Sequence, residues 1–353
     1  MRTHFLFSAI LTVFLLLLPT VQAQTALTAS HERVDLGNTS CGEPHFPKKT
    51  ASKDGEGWVG FRFTVQPDGK LTDLEVVTKA GEESFVAAGR ENLSKCRFSR
   101  PPTENGQPIS MFNVFARFTF ARPQENTKQE ATEKIETSRQ LLMQGRLAEA
   151  AASLDSAEQI AKRITDLNQI ILLRASLMSK WGKDDVALRY LRQIPNPEKD
   201  VDDSADTAKL LRLRLSLELK LGLLASAEIT GRTLTKIKPQ PEDAVMLASL
   251  EKLRQFGATG APMAVSGRVP AECRPMICDP AKPSWEYVPV HRTVSLADAK
   301  GRLDQVILRC TRRTVTIPAT TDTTWTLPAK LGQCAVEVTG EPGATFTLID
   351  ETL

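Results

Sequence analysis

Apolar and polar positions change rhythm several times along this chain. Phe5 to Leu18 is an almost unbroken apolar run, FLFSAILTVFLLLL, with Arg2 before it and Pro19 and Val21-Gln22-Ala23 after it. A basic residue, a short apolar stretch and a small-residue exit predict a secretory signal peptide over 1–23. The run falls short of the ~20 residues a membrane-crossing helix needs. An uncleaved anchor, with Pro19 to Ala23 joined to the span, is the alternative, and cleavage separates the two.

A period of two follows. In GWVGFRFTVQ, residues 57–66, Val59, Phe61, Phe63 and Val65 face one way and Gly60, Arg62, Thr64 and Gln66 the other, which predicts a half-buried strand. Pro67-Asp68-Gly69 is a turn, and Leu71 to Thr78 completes a hairpin. After Gly81 the period lengthens. Glu82 to Cys96 reads as a helix with Phe85, Ala88, Leu93 and Cys96 in one stripe. Pro101-Pro102 stops regular structure, and Asn105-Gly106-Gln107-Pro108 is another turn. The last strand runs Ile109 to Phe120. It sets Phe112, Val114, Ala116, Phe118 and Phe120 on one face and Ile109, Met111, Asn113, Phe115 and Arg117 on the other. The predicted order is ββαβ. Gly55-x-Gly57-x-x-Gly60 matches the dinucleotide fingerprint by letter only, because it precedes a strand instead of joining strand to helix.

This order, with these residues, resembles the TonB carboxy-terminal domain over about residues 41–122. The family pattern has a G-x-V strand, a D-G turn, a V-V strand, an alanine-containing helix, R-F-x-P and a G-x-P turn before an aromatic strand. Here those are Gly57-Trp58-Val59, Asp68-Gly69, Val76-Val77, Ala87-Ala88, Arg97-Phe98 with Pro101, and Gly106-Gln107-Pro108. Pro44-His45-Phe46-Pro47 stands where P-x-Y-P is common. Glu82-Glu83-Ser84-Phe85 replaces the usual L-D at the helix start. The resemblance implies pairing by strand addition with a segment of an outer-membrane transporter. The expected edge is Ile109, Met111, Asn113, Phe115 and Arg117, since an edge strand presents unpaired backbone groups. Pairing in a homodimer, or completion of the sheet alone, are the other uses of that strand. An energy transducer also needs an anchor and a long Pro-rich spacer. Only Pro44 and Pro47 occur between Gln24 and Gly57.

The middle of the chain is helical. Gly145-Arg-Leu-Ala-Glu-Ala150, Gly182-Lys-Asp-Asp-Val-Ala187 and Gly222-Leu-Leu-Ala-Ser-Ala227 each place alanine five residues after glycine, between Leu-rich and Ala-rich segments. Glycine lets the chain leave one helix, and alanine lets the next approach closely. The spacing is similar to a degenerate tetratricopeptide-type array; a plain helical bundle is the alternative. Arg212 and Arg214 in Leu210 to Leu215 read as the solvated side of a helix. Gly257 to Pro270 reads as a linker. Beyond it, strands are predicted over 285–291, 305–309, 314–317, 334–339 and 345–349, a small sandwich or barrel.

Composition adds constraints. A length of 353 residues implies two or three domains. The organisation read here is a signal peptide over 1–23, a linker over 24–40, the ββαβ domain over 41–122, helices over 123–256, a linker over 257–272 and a β domain over 273–353. The fold class is α+β: a small ββαβ TonB-like domain, an all-α middle and a small all-β end. A net charge of +3 gives no nucleic-acid surface, and four scattered histidines give no multi-histidine metal site. Cys41, Cys96, Cys273, Cys278, Cys310 and Cys334 are even in number, which in an exported chain reads as disulfides. A Cys41–Cys96 bridge closes a loop of about 55 residues, worth about 4 kcal/mol in the chain-entropy model. Pairing within the last four stays open among three schemes, and zinc fits their loose spacing poorly. His291, Ser295 and Asp298 form a triad only on paper; a satisfied surface histidine is the simpler reading. No enzyme chemistry and no cofactor is expected. The expected activity is binding of envelope proteins in the periplasm, including outer-membrane transporters, with a membrane-anchored energy transducer as the alternative.

Overall fold

The computed structural model describes residues 46–47, 55–98, 103–121, 130–194, 204–237, 240–321 and 323–352. The expected signal peptide and Cys41 lie outside them.

Strand β1 (Gly57–Val65) is central in a three-stranded antiparallel sheet, between β2 (Leu71–Ala80) and β5 (Met111–Phe120). Between them come helix α1 (Glu83–Lys95) and a two-residue-per-strand hairpin, β3 (Thr103–Glu104) and β4 (Gln107–Pro108). The ββαβ order therefore stands as expected. Helix α1 lays Phe85, Val86 and Leu93 on Val59, Phe61, Phe63 and Val65, and Phe85 stacks on Phe120 with ring centroids 4.7 Å apart. Gly89 sits where Phe61 crosses the helix. A Cβ there would come within 2.6 Å of that ring, so only glycine permits this packing distance.

One expectation changes here. Strand β1 is buried on both faces, not half-buried. Trp58, on the face away from α1, is fully buried and belongs with Ala80 to the core cluster that runs through the rest of the protein.

Helices α2 (Glu130–Met143), α3 (Leu147–Ile160), α4 (Ile164–Lys180), α5 (Asp184–Leu191), α6 (Ser204–Lys220), α7 (Leu224–Leu234) and α8 (Pro241–Ala258) follow. They fall into hairpins that turn at Gly145, Gly182 and Gly222, whose φ values are 75°, 72° and 70°. Ala150, Ala187 and Ala227, five residues on, are each fully buried, as close helix approach requires. Arg212 and Arg214 do not mark a solvated side. Arg212 makes a two-bonded pair with Asp243 at 2.6 and 3.0 Å, and Arg214 pairs with the buried Glu218 at 3.1 Å. Leu-Arg alternation on a helix cannot reveal such partners, which lie a helix or a turn away.

The carboxy-terminal part is two four-stranded antiparallel sheets, ordered β10-β9-β12-β7 and β11-β8-β13-β6. Their strands are β6 (Met263–Arg268), β7 (Ser284–Tyr287), β8 (Thr293–Lys300), β9 (Leu303–Cys310), β10 (Thr314–Pro318), β11 (Thr324–Thr326), β12 (Cys334–Gly340) and β13 (Thr345–Glu351). Trp285 of one sheet meets Phe346 of the other edge-on at 5.1 Å. The stretch read as a linker contributes strand β6, with Met263, Val265 and Gly267 inward. Its small residues hide that alternation, because Phe346 needs the space a Cβ at Gly267 would fill. Disulfides Cys273–Cys278 and Cys310–Cys334 are formed. The second joins directly opposed residues of β9 and β12.

Two predictions follow from these elements. At Gly145 and Gly182 a Cβ would meet nothing within 4 Å, so alanine there costs only the left-handed backbone, about 1 kcal/mol each in urea unfolding, and asparagine costs less. The Arg212 hydrogen bond holds the Asp243 carboxyl below its ordinary range. Its stabilisation is thus full above the unfolded-state value and is lost as pH falls through the lowered folded one. Asp243→Asn should cost about 1.5–3 kcal/mol at neutral pH, and its difference from wild type should shrink in acid denaturation series.

Candidate partner-binding edge and interdomain cleft

Strand β5 ends its sheet, so one side of it is paired to β1 and the other carries no strand among the described residues. Its register slips against Phe63 to Val65, and Asn113 takes φ 58° at that slip. The slip turns Met111 toward the α1 core and leaves Phe112 outside that cluster, so strict alternation fails at this end of the strand. Strand periodicity alone cannot register an extra residue of this kind.

The five residues expected at the edge are placed as follows. Ile109 is half-buried and precedes the strand. Met111 packs against the α1 core. Asn113 donates through Nδ2 to the Cys310 carbonyl at 2.9 Å and to Thr314 Oγ1 at 3.2 Å. Phe115 crosses Gly60, where a Cβ would come within 2.9 Å of its ring. The Arg117 guanidinium lies 4.3 Å over the Trp58 ring and donates to the Gln193 carbonyl. Asn113, Phe115 and Arg117 therefore face the helices and the β sandwich.

The edge itself is partly engaged by the same chain. Phe112 N–H donates to the Thr311 carbonyl at 2.9 Å, and Arg312 pairs with Glu104 at 3.3 Å. The turn joining β9 to β10 thus covers the start of β5. Further contacts fix the ββαβ unit to its neighbours. Lys79 N–H donates to the Pro275 carbonyl, and Glu56 N–H to the Lys162 carbonyl. Helix α4 has no side-chain cap from its own N-cap residue, Arg163; the Glu56 carboxylate accepts the Ile164 N–H instead at 2.9 Å.

Between the outer face of this sheet, the end of α5 and the β7-β12-β9 face lies a cleft of about 840 Å³. Its floor is ionic. Arg62 lies 3.6 Å from Glu75, 3.9 Å from Glu286 and 3.8 Å from Glu337. Arg309 bonds Glu337 and lies 3.7 Å from Glu75. Burial works against the Arg309 charge, yet Glu337 beside it holds its pKa above the ordinary guanidinium value. Arg189 and Arg192 line the α5 wall, and burial pushes both pKa values down despite Asp185 and Glu218 nearby. None of these four arginines was singled out from sequence. The hint for the α5 pair is its i, i+3 spacing at the end of a helix whose Ala187, Leu188, Tyr190 and Leu191 bury.

The paper triad does not assemble. His291 is buried, not on the surface, with Nε2 2.9 Å from the Gly257 carbonyl and Nδ1 3.2 Å from the Asp350 carbonyl. The Asp298 carboxylate accepts from Thr347 Oγ1. Asp350 is itself buried and accepts from Tyr287 Oη, Val290 N–H and His291 N–H. Cys273, Cys278, Cys310 and Cys334 are spent in disulfides, so they offer no thiolates to zinc.

Fold and edge together define a ββαβ domain whose last strand is held by its own sheet on one side only. Residues 42–120 match the family described as Gram-negative bacterial TonB protein C-terminal, which places a TonB C-terminal domain on this unit. The match covers under a quarter of the chain. No curated protein sequence matches the chain. The disulfides fit an oxidising compartment, and no helix among the described residues is long and apolar enough to cross a membrane.

Asn113 tests the contact between edge and sandwich. Asn113→Ala loses the side-chain hydrogen bonds to Cys310, Thr314 and Arg309 and strains the left-handed backbone, at about 2–3 kcal/mol, whereas Asn113→Gly loses the bonds alone and should cost about half as much in the same unfolding assay.

Proposed function

We propose that this chain is an exported, periplasmic binding protein that captures an extended segment of an envelope protein on the edge of β5. Outer-membrane transporters are the partner class that its TonB C-terminal domain favours. The observation that carries this reading is the position of β5 at the end of the β2-β1-β5 sheet, with Val114 to Phe120 beyond the stretch that Thr311 covers. Backbone groups along such an edge give the affinity. Helices α2 to α8, read as a tetratricopeptide-like scaffold, hold the domain in place and add contact surface. The chain performs no chemistry of its own in this reading.

The experiment is capture of transporter segments by the purified full chain. Val114→Pro removes a ladder donor and strains the strand. It should abolish capture while far-ultraviolet circular dichroism and the cooperative unfolding transition persist. Retained capture by this folded variant would sink strand addition at β5.

A further inference from the structure

The cleft between the sheet and the sandwich carries an independent inference. Its volume, about 840 Å³, falls within the ~300–1,000 Å³ of small-ligand sites. Its two walls differ. On the sheet and sandwich side, Glu75, Glu286 and Glu337 are engaged by Arg62 and Arg309. On the α5 side, Arg189 donates to the Ser284 carbonyl at 2.7 Å and Arg192 to Ser226 Oγ at 3.1 Å. Neither has a carboxylate within ion-pair distance among the described residues. A guanidinium carries five N–H donors in a rigid fork, so most of the donors of this pair are left for the cleft. Desolvated guanidinium groups facing a cavity are a receptor for a planar anion, and a carboxylate matches their two-pronged geometry.

The other groups narrow the ligand. Cations and anions lining the cleft are equal in number, seven of each, so a small inorganic anion gains no long-range attraction there. A ligand with a carboxylate for one wall and N–H donors for the acidic wall fits both. Leu223, Ile277 and Ile307 supply apolar surface between them. We propose that this cleft binds the carboxylate end of an apolar peptide, with Arg189 and Arg192 gripping the carboxylate and Leu223, Ile277 and Ile307 receiving the adjoining side chains. Phe115 and Arg117 of β5 also line this cleft, but the grip proposed is that of the α5 wall, so it stands or falls without capture along the backbone edge of β5.

The test uses the full chain and a mixture of tripeptides built from alanine, leucine and phenylalanine. One batch carries free carboxyl ends and the other amidated ends, with hexanoate and sodium chloride at matched ionic strength as further probes. Binding is read by the shift of the thermal midpoint and by tryptophan fluorescence, since Trp285 lies directly behind the cleft wall, on strand β7. Free acids should bind saturably, and amides about tenfold or more weaker. Arg189→Gln and Arg192→Gln should each weaken binding about tenfold, while Arg139→Gln, exposed on α2 and outside the cleft lining, leaves it unchanged. Equal binding of acids and amides, or no saturable shift with either, overturns the site. Hexanoate binding as tightly as the peptides overturns the peptide as its ligand. If an arginine variant does not fold, the acid-against-amide comparison on the wild-type chain decides alone.

Discussion

Burial of β1 on both faces is the constraint on which the arrangement depends. An antiparallel sheet of three strands ordinarily leaves one face to water. Here one face takes α1, and the other takes Trp58 into a core shared with helices and sandwich. A fully buried indole cannot be served by a two-layer unit this small. The helices must lie against it, and Arg117 must lie over it, before the sheet is complete. The position of α4 follows, because Glu56, beside Trp58, caps it. The sandwich follows in turn, because its β9–β10 turn meets β5 at Phe112 and Asn113.

The two faces use different chemistry. The α1 face is closed by aromatic packing, Phe85 on Phe120 and Phe61 against Phe118. Beyond Trp58, the opposite face turns ionic, and Arg62, Glu75, Arg309 and Glu337 meet across a gap instead of a packed layer. Ion pairs of this kind contribute little net stability once desolvation is counted, but they tolerate water and fix mutual orientation. The cleft exists because charged groups stand where apolar ones would have closed the two sheets on each other.

Local pattern made much of this legible. The hairpin of β1 and β2, helix α1 and the glycine turns at 145, 182 and 222 each follow from residues within a few positions of one another, and the structure places them as read. What escaped was set by distant partners. Trp58 reads as an ordinary strand residue until the helices that cover it are in place. Strand β6 escaped because Gly267 yields its space to Phe346, which erases the apolar signal. The slip at Asn113 needs the Cys310 carbonyl, nearly two hundred residues away, to hold it. Arg189 and Arg192 look like a helix surface, and only the sheet folded over them makes them a wall.

The cap that Glu56 places on α4 has a mechanical consequence. A strand laid along β5 and drawn lengthwise loads the β1–β5 rungs in parallel, so they share the tension instead of opening one by one. That tension reaches the start of β1, where Glu56 and Trp58 grip the helical layer. A pull of that kind would be delivered to the first turn of α4, roughly as a rope is made fast at a cleat, through the carboxylate that caps it.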